Sequence, residues 1–325
     1  MRAFKIISLT LITVLASLSV FAAGVCLANY IRCAEFYLTA EDNGKIPGID
    51  EGFIPEGYCT APEGVLVSGY MKDTGAARVY LIRDDGDTSY TNLLDDNLEP
   101  FISKASGIAF FDGYMYVTGD EGLYMFYYED VRDKLEETDY YGIIETYIKP
   151  EWCAIYDDNL YVGSCSAGDS VPEWQITEAP SGETFYNLIT VFRLDPDIKF
   201  AIKRNPIGAI ASPKNIQSAY VDSNGFVFCT YDGIAGSEFI FHYLDTDTHG
   251  SVTVEKNELR KSLPLYYFTE SSRTYTLSAP PMLEGIISDG DRIYALGKSA
   301  SRENYYGTLL GLDKFYSFKI SESYY

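Results

Sequence analysis

Three glutamates, a glutamine and a serine stand at one repeating position of this 325-residue chain: Glu56, Ser106, Glu151, Gln217 and Glu284. If the fold gathers them, three carboxylates, an amide and a hydroxyl repel one another unless they are protonated or bridged by a cation. Oxygen donors without histidine or thiolate suit Ca²⁺ or another hard divalent ion rather than zinc. Glu56, Glu151, Gln217 and Glu284 are therefore a candidate metal set. A pair of these carboxylates could alternatively do acid–base work. The third reading is that the side chains satisfy backbone N–H groups and ordered water at strand edges. All three stand on the sequence alone.

The two tryptophans belong to the same neighbourhood. Trp152 follows Glu151, and Trp174 lies in a long insertion that ends near Tyr186. Aromatic faces over a polar cleft stack on sugars and cations, so Ser106, Trp152, Trp174 and Tyr186 are candidate ligand-binding residues. The competing reading is that a lone Trp anchors a loop onto its scaffold. Other chemistry is thin. His242 and His249 are the only histidines, and there is no HExxH, phosphate-binding glycine loop or CxxC. No nucleophile-elbow sequence supports a serine triad.

What positions the five residues is a repeat. Nine residues after each comes an apolar triplet: Val65–Val67, Met115–Val117, Leu160–Val162, Phe226–Phe228 and Ile293–Ala295. Between lie tight turns such as Asp112-Gly113, Asp157-Asp158-Asn159 and Asp289-Gly290-Asp291. Two strands about an Asp/Asn/Gly turn make a β-hairpin. Five hairpins, 45 to 67 residues apart, make a repeat architecture. A third apolar run follows each hairpin, and fourth strands are expected at Thr88–Leu94, Gly142–Ile148, Phe200–Ile207 and Arg273–Leu277. Apolar residues at odd and even positions of the second strand fit sheets sandwiched between neighbours. The expected fold is all-β, a β-propeller of four-stranded antiparallel blades, five by this count, with six as the competitor. The fifth unit lacks a fourth strand, and Glu35–Thr39 is expected to supply it and close the ring. Two insertions, Ser166–Tyr186 and Ser299–Leu312, should overhang the channel mouth where the five residues converge.

Net charge is −22. The first 32 residues hold three basic side chains and no acids, which leaves 22 basic against 47 acidic residues beyond them. Such a surface repels nucleic acid. From Ile6 to Ile31 no residue is charged, and Arg2 and Lys5 precede the run. This is long enough for a spanning helix, with positive charge on the short side placing residues 33–325 outside the cytoplasm. A cleaved signal peptide is the alternative. The expected division is thus an N-terminal signal-anchor over 1–32 and a propeller over 33–325, monomeric, at the cell membrane or secreted. Five cysteines lie beyond the run, and Cys153 and Cys165 could form a cross-strand disulfide or remain two free thiols.

The segments Ile46-Pro47-Gly48, Gly52–Gly57, Pro280–Gly285 and Ile293–Leu296, with Tyr305-Tyr306-Gly307, resemble those of secreted or membrane-anchored bacterial propeller proteins without an assigned activity. The likeness runs over about residues 46–320. More distantly the repeats are similar to gluconolactonase-like and strictosidine-synthase-like propellers, whose enzymes hold a divalent metal in the channel. That resemblance implies a metal held by Glu, Asn and Asp. Only Glu56 and Glu284 match its Glu element, and no Asn or Asp partner can be placed. Two functions follow as expectations. One is an extracytoplasmic propeller binding a glycan, envelope component or protein on the mouth face without catalysis. The other is a divalent-metal-assisted lactonase or esterase at the mouth.

Overall fold

The computed structural model describes residues 24, 27–28, 31–166, 171–231, 236–246, 249–256, 259–301, 312–321 and 324. A helix, α1 (Ala34–Thr39), leads into strand β1 (Glu41–Lys45). The first blade is β2 (Phe53–Ala61), β3 (Gly64–Met71), β4 (Ala77–Arg83) and β5 (Thr88–Leu94). The second comprises β6 (Ile108–Phe111), β7 (Tyr114–Gly119) and β8 (Gly122–Tyr127); helix α2 (Tyr128–Arg132) and β9 (Glu137–Asp139) precede its outer strand β10 (Gly142–Ile144). The third is β11 (Trp152–Tyr156), β12 (Asn159–Gly163), β15 (Asn187–Arg193) and β16 (Gly208–Ser212), with the small hairpin β13 (Thr177–Glu178) and β14 (Thr184–Phe185) in its insertion. The fourth is β17 (Ile216–Val221), β18 (Phe226–Tyr231), β19 (Ser237–His242) and β22 (Arg273–Ala279). Between its third and fourth strands runs the hairpin β20 (His249–Lys256) and β21 (Leu259–Tyr267). The fifth is β23 (Leu283–Asp289), β24 (Arg292–Gly297) and β25 (Lys314–Lys319), completed on its outer edge by β1.

Five apolar interfaces close the ring. In β3, Leu66 packs toward the second blade with Val117 and Phe126, while its neighbour Val67 packs toward the fifth with Leu296 and Phe315. Successive side chains of a strand point to opposite faces, so a sheet buried on both sides needs apolar residues at both parities. Comparable clusters join blades two and three, three and four, and four and five. The extra strands of the long fourth repeat do not build a sixth blade. The β20–β21 hairpin instead extends the third blade, β21 running parallel to β16, just as β9 extends the first beside β5.

Two expected strands fall elsewhere. Glu35–Thr39 is helical, and the closing strand is the next segment, Glu41–Lys45, which pairs with Ser317, Tyr316 and Lys314. The buried positions explain the helix: Cys33 and Phe36 are 1% and 0% exposed while Tyr37 and Leu38 are exposed, a spacing of three that suits α1 and not a strand. Phe36 sits among Phe239, Tyr316 and Phe318. In the third blade the fourth strand begins at Gly208 rather than Phe200. Phe200 and Ala201 adopt left-handed backbone, φ 66° and 51°, and turn the Phe200 ring into the core between blades two and three.

No helix among the described residues is long and apolar enough to cross a membrane. The apolar run 6–31, and with it the signal-anchor, lies almost wholly outside the described residues.

Candidate functional site at the channel mouth

Glycine sets how tightly the innermost strands close. A Cβ on Gly57 would come within 3.1 Å of the Ser106 carbonyl oxygen and Ile108 nitrogen; one on Gly107 would reach 2.7 Å from Trp152 Cα; one on Gly285, 2.5 Å from Tyr58 Cβ. In blades one, two and five the residue after the mouth position therefore lies against the next blade, and only glycine fits. The fourth blade carries Ser218 there, and the third departs furthest. Trp152 stands at the equivalent place and wedges the third and fourth blades apart, its indole lying over Gly163 and against Phe228.

Three of the five mouth residues sit in β-bulges. Register slips by one between Pro55 and Gly57, between Ile216 and Ser218, and between Leu283 and Ile286. Glu56, Gln217 and Glu284 lie at these slips. An extra residue on one strand bends it and re-aims its side chain, which turns these three away from the interblade cores. Ser106 and Glu151 precede their strands, and the Glu151 backbone N–H donates to Gly163 O at 2.9 Å.

Glu56 and Glu284 are 3% and 2% exposed, and an ammonium lies between them. Lys298 Nζ donates to Glu56 Oε1 at 3.0 Å and Oε2 at 3.3 Å. It also lies 2.9 Å from Glu284 Oε1, an ion-pair contact off the line of a hydrogen bond. Burial would lower the Lys298 pKa, but the Glu284 and Glu56 carboxylates outweigh it and raise it, so the ammonium is held charged. One cation cannot fully offset two buried carboxylates. Burial pushes Glu284 up to about 7, against the attraction of Lys298, with Glu56 adding to the rise.

Across the mouth, the Ser106 hydroxyl donates to Glu151 Oε2 at 3.3 Å, and Lys149 Nζ lies 3.7 Å from Glu151 Oε1. Burial raises the Glu151 carboxyl despite Lys149 and Lys104 nearby. Gln217 Nε2 donates to Cys165 Sγ at 3.3 Å. The Cys165 thiol is pushed up to about 12 by burial and then by the Glu151 and Glu284 carboxylates, so the five positions share one electrostatic neighbourhood. Beside them opens a cavity of about 330 Å³, bounded by Tyr70, Ile102, Lys104, Ser106, Lys149 and Glu151.

The remaining expected residues are placed as follows. Trp152 is 1% exposed and does not face the mouth. Trp174, half-buried, packs with the cluster around Leu265 and Val252 on the lateral extension of the third blade and pins the insertion there. Both side chains do scaffold work because their sites are already filled by apolar neighbours. Tyr186 is half-buried under Lys214, whose Nζ is 4.9 Å from the ring centroid. Cys153 and Cys165 are free thiols rather than a disulfide. Cys153 is opposite Val162 in register and its thiol faces the Tyr116 carbonyl, whereas Cys165 lies past the strand end beside Gln217. Among the described residues no three His, Cys, Asp or Glu side chains are grouped to hold a metal ion. As arranged, Glu56 and Glu284 do not fit a divalent ion, since the Lys298 ammonium takes the space between them.

Sequence reasoning missed Lys298. Its signal was positional: Lys298 directly follows the second strand of its blade, as Lys72 follows β3 in the first. Of the two, Lys298 reaches the mouth glutamates.

Neither protein-family models nor curated proteins give a match to the chain. Solved structures do, at low identity. The chain is similar to Myxococcus xanthus glutaminyl cyclase (11% identity, 87% of this chain and 97% of that one, TM-score 0.45). It is similar to a luciferin-regenerating enzyme (10%, 87% and 95%, TM-score 0.39) and to a putative 6-phosphogluconolactonase from Bacteroides uniformis (10%, 74% and 89%, TM-score 0.31). These neighbours are propeller-like, and at such scores no activity passes from them. The fold rests on the sheet order of this chain itself.

Proposed function

We propose that this chain is an extracytoplasmic binding propeller whose ligand seats on the mouth face, without catalysis. The observation that carries this reading is the Glu56–Lys298–Glu284 triad. Two of the three carboxylates that chemistry would call on are committed to an internal ammonium, while the adjoining cavity stays open. The apolar run 6–31 supports a place outside the cytoplasm, either tethered or secreted. The ligand class is an envelope glycan, another envelope component or a protein. The test is a binding screen of the full-length chain in detergent against cell-envelope fractions, repeated with residues 167–183 deleted. Binding that changes with Lys104→Glu as well as with the deletion supports the reading. Binding untouched by the deletion and by Lys104→Glu removes it from the mouth face.

A second reading, an ester or lactone hydrolase, is favoured by one observation: Glu151, with its raised pKa, accepts a hydrogen bond from Ser106 at the edge of the cavity. A base with such a pKa suits proton transfer. Turnover of aryl esters or lactones that is abolished in Glu151→Gln would establish it; equal turnover in that variant would dismiss it.

A further inference from the structure

Four lysines stand at or beside the mouth. Lys298 follows the second strand of blade five, and Lys104, Lys149 and Lys214 stand two or three residues before the mouth positions Ser106, Glu151 and Gln217. In a chain with 25 basic against 47 acidic residues the balance is locally even, four lysines standing near Glu56, Glu151, Glu284 and Asp120.

Several of these charges have internal partners. Lys298 holds Glu56 and Glu284, Lys214 lies over Tyr186, and Lys149 pairs with Asp120 at 3.1 Å. Lys104 has neither an ion pair nor a hydrogen bond among the described residues, and it is exposed at the cavity wall. Its charge reaches Glu151, Glu284 and Cys165, so it overhangs the mouth rather than pointing away. On the same wall, Ile102 is 62% exposed and Tyr70 stands beside it.

From this arrangement we infer that the cavity takes a small organic monocarboxylate with an apolar or sugar-ring body, its carboxylate between Lys104 and Lys149 and its body against Ile102 and Tyr70. The inference rests on the mouth-face reading above and names the ligand class for it. A cationic ligand would meet two ammoniums. A neutral one would make no use of the Lys104 charge. A phosphate dianion would bring a second negative charge toward Asp120 and Glu151, whereas a single negative charge is balanced by Lys104 alone. A cavity of about 330 Å³ is at the small end of ligand sites.

Calorimetric titration of the full-length chain with benzoate, phenylacetate and glucuronate tests this, with benzylamine and inorganic phosphate as controls. At least one carboxylate should bind more tightly than either control. Lys104→Ala should weaken that binding about tenfold or more, Lys104→Arg should keep it within about threefold, and Lys319→Ala at the opposite end should leave it unchanged. Binding of none of the three carboxylates, or equal binding in Lys104→Ala, overturns the inference. Tighter binding of benzylamine or phosphate at the mouth also overturns it, while leaving the mouth-face reading intact. Carboxylate binding lost only in Lys319→Ala sinks both.

Discussion

The two ends of the central channel are built by the same five strands and filled in opposite ways. At the mouth stand Glu56, Ser106, Glu151, Gln217 and Glu284, with a half-buried lysine among them. Two or three residues further along each strand come Tyr58 and Cys59, Ile108, Cys153, Ala219 and Ile286, around a space of about 110 Å³. Burial pushes the Cys59 and Cys153 thiols up, which keeps them protonated and inert. The far end shows that apolar side chains can fill a channel of this width. Packing therefore does not demand buried charge at the mouth, where a paired ion gains little stability over apolar filling.

The comparison is most sharply broken at Lys298. Lys298→Met leaves two buried carboxylates without a counter-ion, and urea unfolding at pH 8 should show a loss of about 3–5 kcal/mol. The loss should shrink at pH 5, where the carboxyls can take up protons. A loss below about 1 kcal/mol at both pH values would mean the triad is wet and open.

The next effect is pH dependence. Glu284 has a folded pKa raised from 4.5 to about 7. In that window the folded state binds more protons than the unfolded one, so this group makes stability fall as pH rises from 4.5 to 7. His242 works in the other direction. Burial, with Arg273 adding, lowers it from 6.5 to about 4, so its contribution is lost as pH falls through that range. The difference between wild type and Glu284→Gln isolates the carboxyl: the variant should gain on the order of 1–3 kcal/mol relative to wild type between pH 5 and pH 8. Parallel pH curves would contradict the buried charge.

At the apolar end the same approach should give smaller, pH-independent numbers. Cys153→Ala should cost about 1 kcal/mol, a cavity effect, equal at pH 5 and 8. Smallest of all, Ser106→Ala should change stability by less than about 1 kcal/mol. Because the serine hydroxyl lowers the Glu151 pKa, its loss should raise that pKa further, which is measurable by carboxyl NMR titration.

Much of the ring was legible because it depends on strand-scale patterning. Second strands apolar on both faces, with Asp/Asn/Gly turns, announce sheets packed on both sides, and the fourth strands of blades one, two and four begin at Thr88, Gly142 and Arg273 as expected. The third blade's outer strand was not, because Phe200 and Ala201 read as strand but take left-handed backbone. Glu35–Thr39 read as β because it is apolar and short; its helical spacing is carried by only two buried side chains, Cys33 and Phe36. At the mouth, the convergence of five positions follows from the repeat, but their aim does not. Glu56, Gln217 and Glu284 are turned by bulges that no local pattern marks. The counter-charge of Glu56 and Glu284 comes from Lys298, on a neighbouring strand's exit.

Closure by β1 has a consequence for synthesis. Asn43 donates to Ser317, 274 residues later, so a strand made early joins the fifth blade. At roughly 5–20 residues per second, the early strand waits on the order of tens of seconds for its partner. During that time it is an unpaired edge, the sort of segment that recruits other chains. The strand is Glu41-Asp42-Asn43-Gly44-Lys45, with all five side chains exposed even in the finished ring. A charged, glycine-containing edge can wait in water without offering an apolar template to a neighbouring nascent chain.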